Sequence, residues 1–104
     1  MKGSLNSTLP TPAWPDHIPI DAQWLSGEGA GSWFSIEQHK DNYMITRFSP
    51  EGKIECKGIF ERERKSKFLL GHKYEFTYVS HCNMVTIYQL GIFHKFNLIE
   101  KCAI

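Results

Sequence analysis

The sequence predicts an all-β domain of six or so strands, an antiparallel meander that closes into a small barrel or folds into a two-layer sandwich. Three observations carry this. From residue 23 onward, short runs rich in β-branched and aromatic residues recur, several with strict alternation of apolar and polar positions. Turn residues separate these runs at short intervals, which favours antiparallel neighbours. No segment shows an amphipathic helical period of useful length. The barrel is the preferred form, because closure removes exposed strand edges.

Residues 1–20 read as an extended, Pro-rich arm. Pro10, Pro12, Pro15 and Pro19 each fix φ, remove a donor and bias the preceding residue to extended backbone. Trp14, Ile18 and Ile20 are its apolar handles, for docking on the body or on a neighbouring subunit. Residues 21–104 form a single β domain. The stretch Gly27-Glu28-Gly29-Ala30-Gly31 reads as a tight bend or bulge before the strand opened by Trp33, Phe34 and Ile36. Residues 43–48 and 53–60 form a hairpin about Ser49-Pro50-Glu51-Gly52, where proline sets the corner and glycine permits the positive φ that follows. In its second strand Ile54, Cys56, Gly58 and Phe60 share one face. Residues 61–67 are a charged hairpin tip or one exposed helical turn. Residues 73–79 alternate, with Tyr74, Phe76 and Tyr78 on one face. Ser80-His81-Cys82-Asn83 connects this strand to residues 84–89, Leu90-Gly91 is a turn, and residues 92–99 close the set.

Composition bounds the function. In 104 residues, Lys plus Arg is 12 and Asp plus Glu is 11, a net charge of +1. That balance argues against a dedicated nucleic-acid binder and against a polybasic membrane binder. No apolar run approaches the ~18 residues of a membrane-spanning helix, and the polar stretch after Met1 and Lys2 is unlike a signal-peptide core. Cys56, Cys82 and Cys102 are odd in number and widely spaced, which points to reduced thiols and a cytoplasmic setting.

The glycine-rich bend could cradle an anion through Gly27, Gly29 and Gly31, next to Trp33. Phosphate loops need a helix directly after the glycines, however, and a strand pattern follows here. The histidines (His17, His39, His72, His81, His94) and the cysteines match no zinc spacing. A metal site would require Cys56, Cys82 and His94 to meet across strands, and no metal or cofactor is expected. A nucleophilic Cys82 would need His94 as its base, since His81 on a regular strand points to the opposite face. No catalytic residue is assigned. Glu61 and Glu63 interleave Arg62, Arg64, Lys65 and Lys67, the pattern of a solvated loop. Aromatic residues make up 13% of the chain, and Trp14, Trp24 and Trp33 all fall in its first third. A surplus of that kind suits a pocket mouth or a subunit contact.

The runs Trp24-Leu25-Ser26-Gly27-Glu28-Gly29-Ala30-Gly31-Ser32-Trp33-Phe34, Arg47-Phe48-Ser49-Pro50-Glu51-Gly52-Lys53 and Tyr74-Glu75-Phe76-Thr77-Tyr78-Val79-Ser80-His81-Cys82 are distinctive. Together they resemble a family of small uncharacterised bacterial proteins, mostly from the Bacteroidetes group, that is a domain of unknown function. The resemblance spans about residues 23–98. It implies a bacterial, cytoplasmic β domain, and it implies no reaction. It directs attention to the glycine-rich bend and to Ser80-His81-Cys82, so the ligand-binding candidates are Gly27, Gly29, Gly31, Trp33, His81 and Cys82. The expected function is a non-enzymatic binding or interaction module, with a protein partner or self-association rather than nucleic acid or membrane. The alternatives are a small-ligand barrel and, behind it, a Cys/His-dependent enzyme. The ligand barrel fails if Phe48, Phe60, Phe76 and Phe96 point inward and fill the interior.

Overall fold

The computed structural model describes residues 11–26, 31–63 and 68–103. Among these there is no helix, and there are seven strands: β1 (Gln23–Leu25), β2 (Ser32–His39), β3 (Asn42–Phe48), β4 (Ile54–Arg62), β5 (Glu75–Ser80), β6 (Met84–Gln89) and β7 (Ile92–Lys101). They form one antiparallel sheet in the order β1-β2-β3-β4-β7-β6-β5. The order is therefore two meanders rather than one. After β4 the chain crosses to the far edge and returns through β5 and β6, so that β7 pairs with β4.

Among the described residues, the Gln23 side chain bridges the two ends of the sheet. Gln23 on β1 donates from Nε2 to the Tyr74 carbonyl at 2.6 Å and accepts at Oε1 from the Phe76 N–H at 3.0 Å. A primary amide carries the same donor and acceptor as a peptide group. Gln23 thus stands in for one rung of a ladder, and the sheet becomes a nearly closed barrel. Gln89 does the same for the crossing segment. Its Oε1 accepts from the Leu69 N–H at 3.0 Å and its Nε2 donates to the Leu69 carbonyl at 2.6 Å.

Bulges interrupt the register at Arg47/Phe48, Ile59/Phe60 and Phe76/Tyr78. Each adds twist, which a small barrel needs to curl. Each changes which residues face inward; the one at Ile59/Phe60 has Ile99 as its extra residue and sets Lys101 opposite Gly58. Glu55 is the extra residue of the first, so Ile54 pairs with Phe48 and lies exposed, while Cys56, Gly58 and Phe60 face in. Thr77 is the extra residue of the third, its Oγ1 donating to the Thr86 carbonyl at 2.9 Å. Tyr78 therefore leaves the face of Tyr74 and Phe76 and is 54% exposed.

The interior is packed by Phe34, Ile36, Tyr43, Ile45, Phe60, Phe68, Tyr74, Phe76, Val85, Ile87 and Phe96. Of the four phenylalanines on which the ligand barrel turns, Phe60, Phe76 and Phe96 point inward and Phe48 does not. It lies in a second cluster with Trp33, Ile18 and Ala22, on the other side of the β2–β3 wall. Residues 11–22 contain no helix or strand and lie against this cluster. Trp14 meets the Trp33 ring at 4.5 Å between centroids, Trp24 meets it at 5.4 Å, and a His17 Nε2 hydrogen bond reaches the Gly52 carbonyl at 2.7 Å. Ile20, expected to anchor this segment, is exposed instead. Gly52 has φ +92° and closes the Ser49–Gly52 turn by donating to the Ser49 carbonyl at 2.8 Å. A Cβ there would strike His17 and Pro15, so the glycine serves the turn and the close approach of the preceding segment. At the other tight hairpin, Leu90 and Gly91 both have positive φ, the twist that favours two-residue loops.

Burial shifts two titratable groups of the interior. Tyr74 is pushed up to about 12 by burial and then by Asp21, so its phenol stays protonated. His94 is buried on the edge of the Phe68 ring, with centroids 5.3 Å apart, and its Nδ1 has no hydrogen-bond partner among the described residues. Burial first, and the Arg62 charge second, lower its pKa below the ordinary imidazole value of 6.5. The folded state therefore holds neutral His94 where the unfolded chain already binds a proton. The stabilising contribution is complete above the unfolded pKa and is lost as pH falls from about 7 towards the depressed folded value. Urea melts of the wild type and of His94→Leu between pH 7.5 and 5 should show the wild type losing stability faster on acidification.

The cation-rimmed mouth of the barrel

One end of the barrel collects the polar residues that the inward faces of β2, β3 and β4 carry past the core. Along β3 the inward positions are Tyr43, Ile45 and then Arg47. Arg47 Nε donates to Ser32 Oγ at 2.9 Å and pairs with Glu55 Oε1 at 3.0 Å. The bulge that misplaces Ile54 is what brings Glu55 beside Arg47. Arg47 Nη1 also reaches Cys82 Sγ at 3.9 Å.

Cys82 belongs to the turn between β5 and β6. The Asn83 N–H donates to the Ser80 carbonyl at 2.8 Å, and the central residues His81 (φ 48°) and Cys82 (φ 61°) are both left-handed. Non-glycine residues adopt that conformation at a cost of roughly 1–2 kcal/mol each. Two links hold the turn over the mouth. The Leu98 N–H donates to the Asn83 carbonyl at 2.8 Å, and a disulfide joins Cys82 to Cys56 on β4.

Beneath the turn lies a cleft of about 30 Å³. Phe34, Ile45, Phe60, Val85 and Leu98 make its floor, and Arg47, Lys57, Lys101 and His81 stand around it. Gly58 leaves the space open, since a Cβ there would run into Leu98 and the Glu100 carbonyl. That volume holds one or two water-sized groups. Among the described residues the barrel centre is filled by the aromatic core, which leaves the small-ligand barrel little interior room there.

The candidate residues read from the sequence divide among three places. Gly27 and Gly29 lie outside the described residues. Gly31 (φ 98°) closes the bend by donating to the Leu25 carbonyl at 2.8 Å, and β2 follows it, not a helix. Ser32, the residue after Gly31, accepts a hydrogen bond from Arg47, whose Nη1 reaches Cys82. Trp33 is elsewhere, buried in the outer cluster on the opposite side of the wall.

His81 and Cys82 lie in the connection between β5 and β6 that the sequence indicated, so the opposite-face argument, which holds for a regular strand, does not apply to them. The expectation of three reduced thiols is corrected: Cys56 and Cys82 are bonded, and among the described residues only Cys102 is free. The compartment argument drawn from free thiols loses its premise. His94 sits opposite Ile87, deep in the wall, whereas Asn97 sits opposite Met84 beside the turn. Neither the Cys82–His94 pair nor the three-ligand set with Cys56 is assembled. The residues that sequence reasoning missed are Arg47, Glu55, Lys57 and Lys101. For Arg47 the signal was present, as a charge at the third inward position of an otherwise apolar alternation.

Fold and site together define a small, nearly closed antiparallel β-barrel domain with a disulfide-braced, cation-rimmed mouth. Residues 22–99 match the family model described as the DUF6695 C-terminal domain, and the chain belongs to that family, a domain of unknown function. No curated protein and no solved structure matches the chain.

Proposed function

We propose that this domain is a non-enzymatic binding module of a bacterial protein, and that its mouth takes an acidic group borne on a short apolar stem from a protein partner. The observation that carries this reading is the cleft itself: an apolar floor with Arg47, Lys57 and Lys101 around it, and, among the described residues, Glu55 as the one carboxylate paired with Arg47. An anion placed there has cations to meet, and its stem has a dry surface to cover.

Short carboxylates are suitable probes. Titrating acetate, propionate, butyrate and hexanoate into ¹⁵N-labelled protein should shift the amides of residues 31–32, 56–58 and 81–83. Affinity should rise about fourfold with the first added methylene, at roughly 0.8 kcal/mol each, and then level off because the cleft is full. Arg47→Gln should abolish the shifts. Shifts scattered over the surface, or none that saturate, would sink the reading.

A second reading, self-association, is favoured by the outer face of β5–β7. Tyr88 and Phe93 pack together with centroids 4.9 Å apart, yet Phe93 is 61% exposed, and Tyr78 lies on the same face. Glu75 is paired with Tyr88 and Lys95 with Thr86, so a two-fold copy can set the acid of one chain against the base of the other. Sedimentation at rising concentration should show a dimer that Phe93→Asp removes. A wild type that stays monomeric at millimolar concentration excludes it.

A further inference from the structure

We propose that Cys56–Cys82 is an exchangeable disulfide, opened by a low-molecular-weight thiol that attacks Cys56 Sγ while Cys82 leaves as a thiolate held by Arg47. This stands apart from the anion-binding reading and rests on three features of the mouth.

The first is position. The bond spans from β4 to the β5–β6 turn, outside both hydrophobic clusters, and both cysteines are part-exposed. The second is the asymmetry of charge. Arg47 Nη1 lies 3.9 Å from Cys82 Sγ, and the guanidinium is held there by Ser32 and Glu55. Exchange is faster when the departing sulfur is the better-stabilised thiolate, so a cation at Cys82 selects Cys82 to leave and Cys56 to be attacked. The third is the backbone. His81 and Cys82 are both left-handed in the closed form, and cutting the bond lets that turn relax. The barrel does not depend on this turn for its ladder, because Asn83 remains bonded to Ser80 and to Leu98.

The step balances as follows. The thiolate of the small molecule forms a bond to Cys56 Sγ, the Cys56–Cys82 bond breaks, and its electron pair goes to Cys82 Sγ beside Arg47. A second small-molecule thiolate attacks the mixed disulfide at the small molecule's own sulfur. This releases the oxidised small-molecule disulfide and a Cys56 thiolate. Two thiols are oxidised and one protein disulfide is reduced, and the small-molecule disulfide reverses the process. Opening removes one of the two links that hold the turn over the cleft and leaves the Leu98–Asn83 hydrogen bond as the other.

The test is incubation of the intact, folded protein with reduced glutathione at neutral pH, acid quenching, and peptide mapping by mass spectrometry. A single glutathione adduct at Cys56 is expected, with Cys82 available to iodoacetamide. Arg47→Met should slow opening by about tenfold, and Arg47→Lys should restore most of the rate. An adduct on Cys82 overturns the proposal, as does a bond that stays closed in the folded protein while opening in urea. Equal rates in the wild type and in folded Arg47→Met also overturn it. Should Arg47→Met fail to fold, the adduct position in the wild type decides alone. Binding of carboxylates by the closed form is measured separately, so either idea can fail without the other.

Discussion

Phe96→Ala is expected to destabilise the domain by about 3–5 kcal/mol, the usual range for a buried aromatic truncated to Ala. Phe96 is fully buried and meets both Tyr43 and Phe68 edge-on at 5.2 Å. Those rings come from β3 and from the segment that crosses between β4 and β5, so the loss is felt by both meanders at once. Close-packed rings held by the sheet and by the crossing segment cannot collapse into the space without shifting those elements. Domains of this size have roughly 5–15 kcal/mol in total, so the variant should be marginal, with a midpoint on the order of 20 °C lower. Thermal and urea melts check this. A loss under about 1.5 kcal/mol would mean that the interior is not packed as described.

Trp33→Ala should cost a similar amount, about 3–5 kcal/mol, by a different route. Trp33 lies on the outer side of the wall, against Trp14, Trp24, Ile18 and Phe48. Its loss removes the surface on which residues 14–22 rest. Besides the stability loss, Trp14 fluorescence should shift to the red and proteolysis before residue 22 should become faster. Trp33→Phe should cost much less than its lost volume implies. Trp33 Nε1 is buried with no hydrogen-bond partner among the described residues, and removing an unsatisfied donor recovers part of the loss. If Trp33→Ala leaves Trp14 emission unchanged, the contact between the segment and the wall is wrong.

The strands were legible because alternation is a local property. Residues 43–48 and 53–60, their turn, and the Leu90–Gly91 hairpin follow from the period of apolar residues and from glycine at positive φ. Bulges were not legible. An extra Glu55 or Thr77 leaves the printed alternation looking regular while reversing the faces of Ile54 and Tyr78. β1 was missed as a strand of its own because it is only three residues, Gln23–Leu25, too few to show a period. The pairing of β4 with β7 joins residues some forty positions apart, and no local pattern encodes that choice. The site divided in the same way. Ser80-His81-Cys82-Asn83 stood out as a connection, but its disulfide partner lies 26 residues away on another strand. The left-handed backbone of His81 and Cys82 has no glycine to announce it.

The amide of Gln23 has a consequence for how this molecule comes apart. Every other seam of the barrel is a backbone ladder whose rungs support one another. At the β1–β5 seam the described residues are bridged by the hydrogen bonds of the Gln23 side chain instead. The least costly excursion from the native state is therefore a local opening there, with β1 swinging away while the other strands keep their pairing. Such an opening bares the free edge of β5, whose N–H and C=O groups can recruit a strand from another copy. One glutamine thus holds the barrel shut and also guards the chain against edge-to-edge association.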